Sequence, residues 1–149
     1  MAQVPPRVDF SGTWVFDEAA SSRHEPNGHV VIAKLLGDEV TIQQDERTLR
    51  LAISMAGAHV DVSYTLDGSE SRNTSPDPAG DVVVTSKAVW QDGKLVIRSS
   101  SPSTVNGQPV LTETTRVMWL DADGALILDR SGTPATEVPT TRSVYRRKR

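Results

Sequence analysis

From Asp9 to Arg146 the chain is written in period two. His59 to Leu66 is the cleanest stretch: Val60, Val62, Tyr64 and Leu66 alternate with His59, Asp61, Ser63 and Thr65. Residues two apart on a strand share a face, so one face here is apolar and the other polar. Strand-like patterns recur over Phe10 to Phe16, Val40 to Gln44, Thr48 to Met55, Val82 to Trp90, Lys94 to Ser100, Val110 to Leu120, Ala125 to Arg130 and Thr140 to Arg146. Several are joined by tight turn signals: Asp45-Glu46-Arg47, Gln91-Asp92-Gly93 and Asp121-Ala122-Asp123-Gly124. The 18 valines and 14 threonines, against 10 leucines, favour strands in the same way.

Helices do not alternate with these strands, which argues against a parallel sheet. A length of 149 residues fits one domain. An antiparallel meander this long must close on itself or expose its edges. The expected class is therefore all-β: an antiparallel up-and-down β-barrel of about eight strands, with a two-sheet sandwich as the alternative. Gly28 to Leu36 reads as a short helix or a strand. Asp17 to Asn27, Ser69 to Asp81, Ser101 to Pro109 and Ser131 to Pro139 read as connections. Around a barrel of residues 9–146, residues 1–8 are expected to be a flexible leader and residues 147–149 a basic tail.

Composition narrows the chemistry. The chain has no cysteine, so it has neither a thiol nucleophile nor a thiolate metal site. Its three histidines, His24, His29 and His59, lack metal-pair spacing, and no metal or cofactor is expected. Phosphate-binding glycine loops and the G-x-S-x-G elbow are missing from the sequence. A net charge of −3 with one short basic run makes a poor nucleic-acid platform. No apolar run approaches the roughly 18 residues of a membrane helix.

Phe10-Ser11-Gly12-Thr13-Trp14 fits F-x-G-x-W and resembles the first-strand motif of the calycins, the lipocalins and intracellular fatty-acid-binding proteins. There Gly12 would bend the strand where the barrel closes, and Trp14 would plug the closed end. Thr141-Arg142-Ser143-Val144-Tyr145 is similar to the T-R-x-Y ending of the fatty-acid-binding group. The resemblance implies a late arginine packed across Trp14, with Arg142 the candidate and Arg146 the alternative. The fatty-acid-binding pattern is R-x-Y, whereas Arg142 and Tyr145 have opposite parity, which leaves a carboxylate clamp unassigned. Gly28 to Leu36 sits where that group carries a helical lid. The start, Ala2-Gln3-Val4-Pro5-Pro6, resembles the mature start of small exported bacterial lipocalin-like domains, implying a secreted or periplasmic protein, or else a cytoplasmic one.

Such a barrel is expected to bind a small hydrophobic or amphipathic molecule, as a monomer or homodimer. The candidate lining is Met55, Tyr64, Trp90, Ile97, Met118 and Trp119, with Arg98 or Arg116 at the polar end. An inward arginine is costly unless paired, so it would mark a site. Parity makes some of these residues exclusive: Glu113 and Trp119 share one face of their strand, Arg116 and Met118 the other. The competing class is a barrel enzyme, an isomerase, cyclase or lyase acting by enclosure. It would use His59 as base, Asp61 as its orienter, Tyr64 as a donor and Glu113 as an acid.

Overall fold

The computed structural model describes residues 8–21, 23–24, 30–31, 34–75, 82–133 and 141–148. In chain order the elements are β1 (Gly12–Phe16), α1 (Glu18–Ser21), β2 (Arg23–His24), β3 (Val30–Val31), β4 (Glu39–Gln44), β5 (Thr48–Met55) and β6 (Ala58–Thr65). They continue with β7 (Glu70–Ser75), β8 (Val82–Gln91), β9 (Lys94–Val105), β10 (Gln108–Leu120), β11 (Leu126–Thr133) and β12 (Thr141–Arg147). Ten of the strands form one antiparallel sheet in the order β6-β5-β4-β1-β12-β11-β10-β9-β8-β7, and β2 and β3 pair separately. The first strand thus pairs the last, and the sheet curls into a nearly closed barrel with one short helix.

The barrel has ten strands rather than about eight: the nine strand-like stretches of the sequence and one more. The addition is β7, which falls in the stretch read as a connection. Its inner face carries Ser71 and Asn73 rather than apolar residues, so no hydrophobic period announces it. Its ladder to β8 holds it in place, from Glu70↔Lys87 to Ser75↔Val82. The two outer strands, β6 and β7, meet at a seam that side chains close. Asn73 Oδ1 accepts the Ser63 N–H at 2.9 Å, its Nδ2 donates to the Ser63 carbonyl at 3.0 Å, and Ser71 Oγ accepts the Thr65 N–H at 2.8 Å.

Two other local readings are sharpened. Of the helix or strand expected in 28–36, the described residues Val30–Val31 form a strand, residues 28–29 and 32–33 lie outside the described residues, and the described helix is Glu18–Ser21. Asp17 caps that helix by accepting the Ala20 N–H at 3.1 Å. The stretch 101–109 is not a loose connection: β9 and β10 run on to a two-residue turn at Asn106-Gly107, with φ of 52° and 78°. Positive φ at both central residues is the type I′ geometry whose twist suits a hairpin.

The core fills the half of the barrel around Trp14. Trp14 is fully buried and donates from its indole to the Phe10 carbonyl at 2.9 Å, and Phe10 stacks on Trp90 at 5.9 Å. Leu49, Leu95, Met118, Leu126 and Leu128 complete a floor with almost no exposed surface. The arginine across Trp14 is Arg147, which was assigned to the tail. The register sets Trp14 opposite Arg147, so odd positions of β12 share the inner side and Arg142 and Arg146 point out. Arg142 instead forms a two-point ion pair with Asp129 at 2.7 and 2.9 Å, and Arg146 pairs Asp17 at 3.0 Å. Gly12 has φ +136°, which side chains rarely adopt, and a Cβ there would lie 2.6 Å from Arg147 Nη1.

Candidate functional site

Moving along the inner face away from Trp14, the packing changes character within four residues of β10. Met118 is level with Leu95 and Leu128 and belongs to the apolar floor. The next inward level aligns Arg116 with Ile97 on one side and Arg130 on the other, and Arg130 with Thr141. Above it, Thr114 aligns with Ser99, and Ser99 with Ser86. Thr112 and Ser101 form the level beyond. Facing these polar levels across the barrel are Val60, Val62 and Tyr64 of β6, with Val84 of β8 beside them. Arg116, Arg130, the hydroxyl levels above them and this facing wall line a partly open cavity of about 320 Å³.

Arg116 and Arg130 are half-buried neighbours inside this cavity. Neither has a hydrogen bond or an ion pair among the described residues. Directly opposed like charges on adjacent strands repel, and burial of an unpaired charge is costly. Burial, with Arg116 beside it, pulls the Arg130 guanidinium below its ordinary value. It stays protonated at any physiological pH. The Thr141 hydroxyl next in register is buried without a partner. Two guanidinia and nearby hydroxyl donors make a site for an oxyanion.

Tyr64 is 8% exposed, and burial pushes its phenol up, with Arg116 opposing the shift. It is therefore a neutral donor at the cavity wall. Burial also pushes Tyr145 up, but its hydroxyl is already committed: it accepts the Leu36 N–H and donates to the Gly37 carbonyl, both at 2.8 Å. Tyr145 fastens the 34–38 turn to the barrel wall.

The residues singled out from sequence divide by parity. Tyr64 and Arg116 line the cavity. Ile97, Met118 and Trp90 face inward but belong to the packed core or its margin. Met55 is 43% exposed at the end of β5. Trp119 faces out, packs on Ala125, Ile127 and Val144, and lies between Lys94 and Arg142 at 4.3 and 5.3 Å. Arg98 is exposed on the outer face beside Lys87 in register. His59, Asp61 and Glu113 are likewise exposed, and none lines the internal cavity. His59 bonds Ser54 across the outer surface at 3.1 Å. The reason is the alternation itself: Val60, Val62 and Tyr64 take the inside, leaving His59 and Asp61 the outside.

Arg130 and the hydroxyl levels were missed. Arg130 was legible in principle, because it continues the Leu126, Leu128 parity of its strand. The serines and threonines carry no such signal, since the same residue types are common on solvent faces.

Known structures bear on the fold. The chain is similar to the apo form of lipid binding protein 8 (LBP-8) of Caenorhabditis elegans, over 93% of this chain and 95% of that one, with a TM-score of 0.55. The fold is a calycin-type barrel. Sequence identity to that protein is 12%, so the likeness speaks of the fold alone. No family model matches the sequence, and no curated protein matches it. In this barrel Trp14 is fully buried in the core and Gly12, two residues before it, has φ +136°.

Proposed function

We propose that the barrel binds one small amphipathic molecule, with an anionic end seated between Arg116 and Arg130. The observation that carries this reading is the pairing of two inward guanidinia with no carboxylate partner among the described residues. An anion there would form charge-assisted bonds and relieve a buried repulsion. Each such bond contributes roughly 1.5–3 kcal/mol. Cavity size agrees, since 320 Å³ lies at the lower end of the roughly 300–1,000 Å³ of small-molecule sites. The fold likeness to a lipid binding protein points the same way.

Binding is favoured over catalysis because, among the described residues, no Asp, Glu or His lines the cavity, and its titratable groups there are Tyr64, Arg116 and Arg130. Isothermal titration of the full chain with small anions and their neutral counterparts tests the reading, for example octanoate against octanol and glucuronate against glucose. Anions of at least one pair should bind, and Arg116→Gln and Arg130→Gln should each weaken them about tenfold or more. Equal binding of a neutral counterpart would count against an anionic head.

A further inference from the structure

Resting on the Arg116–Arg130 reading, we infer that the bound anion is a compact hydroxylated one, a sugar acid or sugar phosphate, rather than an acyl chain. The surface next to the arginines decides this. A barrel built for a hydrocarbon tail would continue the floor of Met118, Leu95 and Leu128 upward. Here the floor stops at the arginines, and the levels above carry Thr114, Ser99, Ser101 and Thr112. Ser99 is bonded to Ser86 at 2.7 Å. The hydroxyls of Thr114, Ser101 and Thr112 have no hydrogen-bond partner among the described residues.

An acyl chain laid along these hydroxyls would strip their water and return nothing. Each buried polar group left unsatisfied costs roughly 1–3 kcal/mol. A ligand bearing its own hydroxyl groups along the same length satisfies them instead. Sites built to hydrogen-bond a ligand hydroxyl reject analogues lacking it far more strongly than apolar pockets reject an extra one. The opposite wall of Val62, Val84 and Tyr64 is apolar, which suits the C–H face of a sugar ring. A volume of about 320 Å³ accommodates a hexose-sized occupant. Carboxylate and phosphate heads share the chemistry the two guanidinia recognise.

Isothermal titration of the full chain with glucuronate, glucose 6-phosphate and octanoate separates the possibilities. At least one hydroxylated anion should bind about tenfold or more tightly than octanoate, and the tighter of the two names the head group. Thr112→Val, nearly the same shape, and Ser101→Ala should each weaken that ligand several-fold while leaving octanoate unweakened. Two variants guard against a local packing effect at either site, and thermal denaturation checks that both fold. If octanoate binds as tightly as the hydroxylated anions or more so, the inference is overturned and the arginine site stands. If no anion binds, both fall.

Discussion

Asn73 bonds both backbone groups of Ser63 with its side-chain amide, at 2.9 and 3.0 Å, and so stands in for a peptide unit where the barrel's outer strands meet. A side-chain amide offers the same donor and acceptor as the backbone. That lets β7 close the barrel without joining a ladder to β6. The cavity borders this seam, since Asn73, Val60 and Val62 are among its lining residues.

Asn73→Ala removes both bonds. The expected cost is about 1–3 kcal/mol, at roughly 0.5–1.5 kcal/mol per bond, read from chemical denaturation. Native-state hydrogen exchange should quicken at the Ser63 amide first. Unchanged exchange there would mean that the seam is held by something else.

Arg147 lies 4.4 Å from the Trp14 ring centroid and donates to the Ser11 carbonyl at 2.9 Å. Arg147→Met keeps an aliphatic stem but loses both interactions, for an expected cost of about 1–2 kcal/mol. Arg142→Met, which loses an outer-face ion pair with Asp129 and the longer, 5.3 Å contact with the Trp119 ring, should cost about 0–1 kcal/mol. Chemical denaturation of the two variants side by side checks the ranking.

Arg130→Met should stabilise the ligand-free protein while abolishing anion binding. It replaces a half-buried, unpaired charge with an apolar side chain of similar length, for a gain of about 1 kcal/mol or more. Function sites commonly carry this conflict between stability and activity. A lower melting temperature in the ligand-free variant would show that Arg130 is already satisfied.

Several turn aspartates tie stability to pH. Asp45 is held below its ordinary value by the N–H groups of Arg47 and Thr48, and Asp17 by the Ala20 N–H and then by Arg146. A carboxyl whose pKa is lower folded than unfolded contributes its full stability above the unfolded value of about 3.9. That contribution is lost as pH falls through the folded value. The melting temperature should therefore fall below about pH 4, and Asp45→Asn or Asp17→Asn should flatten that fall.

How much was legible in the sequence follows from what alternation encodes. The alternation of Val60, Val62 and Tyr64 with His59 and Asp61 marks two faces of β6 without saying which is inside, and the barrel follows from a run of such strands. Gly12 and Trp14 were legible because a bend and an end plug demand particular residue types. β7 was not, because its inner residues bond sideways across a seam and leave no apolar period. Arg147 reads as tail in the sequence because strand ends are fixed by register, here Trp14↔Arg147, and not by composition. The site was half legible. The parity of β10 separated Arg116 from Glu113 but did not say which face was inside, and the partner Arg130 sits on the next strand, where only register brings the two together.

The pairing of Arg116 and Arg130 around an anion is tested most directly by NMR of the arginine Nε–Hε groups, with each signal assigned by substitution. On titrating the tightest-binding small anion into the full chain, the Arg116 and Arg130 signals should shift together and saturate along one binding curve, while Arg98 and Arg142 on the outer face stay still. Signals of Arg116 and Arg130 that do not move while the anion binds would contradict the site.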